Sequence, residues 1–343
     1  MPPRTLCPMS AQDPTPVVEK PASRALLLAP ATLIWLAAML WSARATITGR
    51  VSAEMEVTST AYALPGAISA SLVTGAAVAL AVLGLLGRRR TLGTTVRFLV
   101  AIGTGLVIGL LGAVSIITIN TEGWLYAVVG GTVAAAATIG GALAGFRVPR
   151  VVGAVCWAAV GVFVVGFALN LFQNPVLNAF GSGSTQASQT SAAEWFAFCQ
   201  SLLSGLAAGL IAFRVLRRGR GSGGTGLAWP LYALAGAGPG LLLLIAEGLT
   251  RTAGARVLEL AGKVSDLELA VQGMLSGARF NNGLIILFVG AITATIAIGR
   301  TLGPAADDPA PAETTPPRAA PAETTPAATT PAEAAGVETA AAE

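Results

Sequence analysis

The spacing of arginines along this chain constrains its fold more than any other feature. Eight long apolar runs follow one another, and arginine clusters fall in every second gap between them. Arg88, Arg89 and Arg90 follow the second run, and Arg147 and Arg150 follow the fourth. Arg214, Arg217, Arg218 and Arg220 follow the sixth, and Arg300 the eighth. An apolar helix of about 20 residues spans the hydrocarbon core of a bilayer, and loops rich in Lys and Arg stay on the cytoplasmic side. The pattern predicts an all-α membrane protein, an eight-span helical bundle with both termini in the cytoplasm.

Composition supports that reading. The chain is 54% hydrophobic and 11% charged, whereas a soluble domain carries about 25% charged residues. The net charge of +4 is unevenly placed, with most basic residues on the expected cytoplasmic side. It therefore reads as an orientation signal with headgroup contact. No basic stripe interleaved with aromatics is present, so no nucleic-acid partner is expected. Arginine far outnumbers lysine, which occurs only as Lys20 and Lys263. Together with the Ala and Gly excess, this points to a bacterial, GC-rich genome and to the plasma (inner) membrane.

The spans are expected at about 25–43, 64–87, 96–119, 124–146, 151–172, 195–216, 227–248 and 283–299. Trp41, Trp124, Trp195 and Trp229 fall at span ends, where the indole favours the headgroup level. The external segments are then 44–63, 120–123, 173–194 and 249–282. Residues 1–24 and 301–343 read as disordered cytoplasmic tails around the 25–300 membrane domain. The second tail repeats a Pro-Ala-Glu-Thr-Thr-Pro motif at 311–316 and 321–326 and has too little apolar surface to offset ordering entropy. Ala43-Arg44-Ala45 has the small-x-small form of a leader cleavage site, but the first run is long and its preceding tail acidic, so it is expected to remain as a span. The segment 173–194 lacks Lys and Arg and is rich in Gly and Ser near 181–185, which predicts a flexible loop.

The second and sixth spans match at an offset of 130 residues. Ser71-Leu72-Val73-Thr74-Gly75 aligns with Ser201-Leu202-Leu203-Ser204-Gly205, and Arg88 and Arg90 with Arg218 and Arg220. Two matched spans of equal direction point to a 4+4 parallel duplication about an axis along the membrane normal. The competing explanation is that Gly, Ala, Leu and Ser match by composition alone. Small residues four apart (Gly75/Ala79, Gly105/Gly109, Gly141/Gly145, Gly205/Gly209) allow close helix approach. They serve either the bundle itself or membrane-protein partners.

Two features are candidate sites. Gly238, Pro239 and Gly240 sit near the middle of the seventh span. Proline there removes a backbone donor and glycine weakens the helix, so a broken helix is expected, either as a kink or as part of a transport site. Glu247 and Arg251 lie four apart near the external end of the same span and can pair on one face. An acid at membrane depth is a functional candidate by default, although this one is close to the headgroups. Gln200, Asn170, Gln173 and Asn174 either bond across the fifth and sixth spans or line a shallow external cavity.

Residues 254–278 carry Val257, Leu260, Val264, Leu267, Val271 and Met274 at three- and four-residue spacing, with Glu259 and Lys263 four apart on another face. This predicts an external amphipathic helix that caps the bundle, lies on the membrane or docks a partner. Enzyme chemistry finds no support. There is no histidine, so zinc spacing is absent. No nucleophile has a base, and the Gly-rich stretches lie inside spans. Glu54 and Glu56 are expected in a solvated loop. Cys156 and Cys199 lie at depths differing by about 20 Å, too far for a disulfide, so free thiols are expected for both and for Cys7. No catalytic residue, metal or cofactor is expected. The reading is a non-enzymatic multi-pass protein, a structural or assembly component of an envelope complex. The alternative is an uncoupled transporter or permease subunit using the broken seventh helix.

Overall fold

A computed structural model describes residues 22–48, 53–89, 93–119, 124–146, 148–181, 183, 185–218 and 228–301. Both expected tails apart from residues 22–24 and 301, together with Cys7, Arg90, Arg147, Arg220 and the 120–123 link, lie outside those residues. Ten helices and no strand are present among the described residues: α1 (Ala22–Thr48), α2 (Ala53–Leu86), α3 (Thr94–Ile117), α4 (Trp124–Ala144), α5 (Pro149–Leu171), α6 (Gln173–Ala179), α7 (Gln186–Arg218), α8 (Trp229–Thr252), α9 (Ala255–Gly262) and α10 (Asp266–Gly299). Eight of them, all but α6 and α9, are long and apolar enough to cross a membrane.

The helices form two packed groups. In the first, α4 lies against α2 and α3, and α1 lies against α2. In the second, α10 lies against α7 and α8, and α5 lies against α7 and α8. The groups meet through α2 against α8 and α5. A core of Leu64, Ile68, Leu72, Tyr126, Val133, Cys156 and Val257 runs between them.

Apolar side chains gain nothing by leaving lipid for one another, so backbone approach carries the packing. Gly75 and Gly105 both face the Ala137 carbonyl of α4, and Gly140 faces the Leu72 carbonyl of α2. Gly209 and Gly236 both face the Gly290 carbonyl of α10. The small pairs singled out above are thus used within the chain: Gly109 packs on Ala134, Gly141 on Gly105, Gly145 on the Phe98 ring and Gly205 on Val289.

Three helices overshoot a bilayer. At 33 or 34 residues, α2, α7 and α10 are each about 50 Å long against a hydrocarbon core of about 30 Å. Their surplus lies at the end opposite the arginines, called the far end below. The expected 44–63 loop is correspondingly short. α1 runs unbroken through Ala43-Arg44-Ala45 to Thr48, and α2 begins at Ala53. Glu54 and Glu56 therefore occupy the first turn of α2, where the positive helix end favours acids. The expected loop 173–194 is also largely helical. It holds α6, which ends at Gly181 with φ +82°, a left-handed conformation that suits glycine after a helix. It then enters α7 through Thr185, whose hydroxyl oxygen accepts from the Ser188 N–H at 3.3 Å.

The 254–278 segment departs from one amphipathic helix. It breaks at Lys263–Ser265 into α9 and the first turns of α10, which then continues without interruption into the last span. Ser265 and Glu268 explain the break. The Ser265 hydroxyl accepts from the Glu268 N–H at 3.1 Å, the spacing of a capping box. Val257 and Ala261 of α9 are buried, whereas Leu267 and Met274 of α10 are 74% and 75% exposed. Ser265→Ala should lower stability by about 1 kcal/mol, read as a lower melting temperature in detergent. An unchanged melt would mean that the cap does not start α10.

Candidate functional site

Pro239 does not break its helix. α8 is continuous from Trp229 to Thr252, with Gly238, Pro239 and Gly240 all buried. The glycines flanking Pro239 serve contact instead. A Cβ at 236 or 240 would strike the α10 backbone, and one at 238 would strike Val155 of α5. The expected broken seventh helix is therefore corrected to a continuous one, because neighbouring backbones press on both sides of the proline. Beside it lies a cavity of about 270 Å³ between the two helix groups, lined by Pro239, Leu242, Val73, Trp35, Met39 and Phe163 among others. Trp35 stacks on Phe163 at 4.6 Å between centroids, and its Nε1–H is buried without a partner. Ser69, also on the wall, donates to the Pro65 carbonyl at 2.8 Å. No charged side chain lines this cavity.

Glu247 sits at the far end of α8 and is 3% exposed. The Glu247–Arg251 pair is present, with Nε donating to Oε1 at 3.0 Å. α10 supplies two further partners. Arg279 Nε donates to Oε2 at 2.9 Å, and the Ser276 hydroxyl donates to Oε1. Arg251 also donates to the Ser276 carbonyl at 3.1 Å and lies over the Phe280 ring at 5.6 Å. A carboxylate with both oxygens engaged by two guanidiniums and a hydroxyl is a fixed anion. This cluster pins α8 to α10; it does not shuttle protons. Arg279 and Ser276 escape sequence reasoning because they lie 32 and 29 residues from Glu247. The only signal was an arginine inside an otherwise uncharged stretch.

On the other side of Arg279 a second cavity, of about 380 Å³, opens between α7 and α10. Glu194, Gln200, Ser201, Arg279, Asn281 and Asn282 bring polar groups to it, and Phe198, Leu275 and Ile285 apolar ones. Arg279 Nη2 and Asn282 Oδ1 are buried without hydrogen-bond partners. Gln200 thus lines a far-end cavity and also approaches α5 near Gly166. Asn170 bonds only within its own helix, to the Gly166 carbonyl at 3.0 Å. Gln173 and Asn174 open α6.

Other acids are held singly. Glu56 accepts from the Tyr126 hydroxyl, joining α2 to α4. Glu259, on the exposed face of α9, bonds Lys263 at 2.8 Å and Arg256 at 3.1 Å. The Lys263 ammonium, with Arg256 beside it, holds the Glu259 carboxyl below its ordinary range. Such solvated pairs contribute little to stability. Cys156 is buried and Cys199 half-buried, and both are free thiols. Among the described residues no cluster of three His, Cys, Asp or Glu side chains could hold a metal ion.

No protein family, curated protein or solved structure matches the chain.

Proposed function

We propose that this is a non-enzymatic multi-pass protein of a bacterial plasma membrane, and that it works as a structural or assembly component by binding another membrane protein at its far end. The observation that carries this reading is the first part of α10. It projects past the length a bilayer needs and presents Leu267, Leu269 and Met274 outward. Gly273 and Gly277 lie on the same stretch with open space where a Cβ would stand. Small residues flanked by large exposed apolar ones suit close helix docking. The small-residue faces deeper in the bundle are already occupied, so α9 and α10 replace them in this reading.

Orientation follows from charge. The described cations at the far end are all engaged: Arg251 and Arg279 on Glu247, Arg256 and Lys263 on Glu259, and Arg44 on the Ser115 carbonyl at 3.4 Å. The arginine-rich end is placed in the cytoplasm, with both termini. The similar packing of α2, α3 and α4 and of α7, α8 and α10 around one glycine-clasped helix supports a 4+4 origin.

Purification from the native membrane in mild detergent, followed by mass spectrometry, tests the assembly role. A membrane protein is expected to co-purify with the wild-type chain and to be lost from Met274→Glu and Leu267→Glu variants that still melt like wild type. A lone monomer, or a partner indifferent to both changes, counts against it. The cavity beside Pro239 favours a second reading, an uncoupled permease for small apolar molecules, because it sits between the two helix groups where transporter sites form. Single cysteines at 236–242 should stay unreactive to water-soluble reagents if the bundle is closed, and reaction there would favour transport.

A further inference from the structure

The α7–α10 cavity has an unusual charge balance. Arg251 and Arg279 share one carboxylate, Glu247, which leaves one positive charge in excess. Glu194, on the opposite wall, brings one negative charge and pairs with no described cation. The walls are therefore neutral in sum but separate their charges across the cavity. Two buried polar atoms still lack partners there, a donor at Arg279 Nη2 and an acceptor at Asn282 Oδ1. An unpartnered buried polar group is costly, and such groups in a cavity point to a missing ligand. The ligand that satisfies both must carry an anionic oxygen for the guanidinium and a cationic N–H for the carboxylate and the amide oxygen.

The setting selects a lipid. Exposed Trp195 adjoins Glu194 and packs edge-on against Phe198 at 6.1 Å. Tryptophan favours the headgroup level of a bilayer. Phe198, Leu275 and Ile285 give the cavity an apolar side, along which acyl chains can run down the groove between α7 and α10. The volume, about 380 Å³, is that of a small-molecule site and accommodates a headgroup rather than a whole lipid. We propose that this cavity binds the headgroup of a zwitterionic phospholipid with a primary ammonium, its phosphate on Arg279 and its ammonium between Glu194 and Asn282. The binding does not depend on the assembly role.

The test uses the full-length protein reconstituted in vesicles of equal phosphatidylethanolamine, phosphatidylglycerol and phosphatidylcholine. It is then extracted in mild detergent, and native mass spectrometry reads the retained lipid. The wild type should keep one phosphatidylethanolamine in preference to the other two. Glu194→Gln should lower that preference about tenfold, as expected for losing one charge-assisted hydrogen bond. Because Glu194 makes no described bond within the fold, its variant should melt like wild type. Asn282→Leu, as a second variant, should weaken retention in the same sense. Equal retention of all three lipids, or a preference untouched by both variants, would overturn the proposal. Soluble glycerophosphoethanolamine distinguishes the source. Failure to displace the lipid supports a lipid site, whereas ready displacement would show a site for a free zwitterion and overturn the lipid assignment.

Discussion

Gly140→Ala should cost this protein about 3 kcal/mol of stability, at the upper end of what overpacking usually costs. In an exposed helix the same change would help, because alanine is the better helix former by roughly 1 kcal/mol. The sign reverses here because a Cβ at 140 would run into the Leu72 carbonyl of α2. That atom belongs to a helix backbone and cannot turn aside as a side chain would. α2 and α4 must separate, and Gly75, which faces the Ala137 carbonyl from α2, loses its contact with them. Gly84→Ala provides the control, since nothing lies within 4 Å of a Cβ there. Thermal melts in detergent should show a marked drop for the first variant and none for the second. Equal melts would mean that the two helices do not approach as described.

Glu247→Ala is expected to destabilise by about 3 kcal/mol, the low end for breaking a buried ion pair. The carboxylate is buried and serves two helices. Its removal strands the Arg279 guanidinium against an apolar wall and leaves the Ser276 hydroxyl without an acceptor. Arg251→Ala should cost far less, about 1 kcal/mol, in keeping with a partly solvated pair, because the Arg251 side chain is 47% exposed. The asymmetry between the two partners is the measurement of interest. If both variants melted alike, Glu247 would be an ordinary interfacial acid and the link between α8 and α10 would lie elsewhere.

The number and direction of the spans were legible because apolar length and arginine spacing act locally, residue by residue. Glu247 and Arg251 were legible for the same reason, being one helical turn apart. Pro239 misled because proline's helix-breaking tendency is an intrinsic preference. Packing of Gly236 and Gly240 against α10 outweighs it. The 254–278 segment misled in another way. Its apolar spacing continues across Ser265, but the capping signal of Ser265 and Glu268, present in the sequence, decides where the helix restarts. Leu267 and Met274 continue the expected stripe yet face outward.

Sequence alone determined that the chain is a series of apolar helices with its cations gathered at one end. Hydrophobic length and charge need no partner to exert their effect. Only the tertiary structure decided which glycines face which backbone, that Arg279 joins Glu247, and that two cavities remain beside Pro239 and Arg279. Those depend on atoms distant in the chain meeting within a few ångströms, and in lipid such meetings are set by shape and by unsatisfied polar groups rather than by any preference a single residue carries.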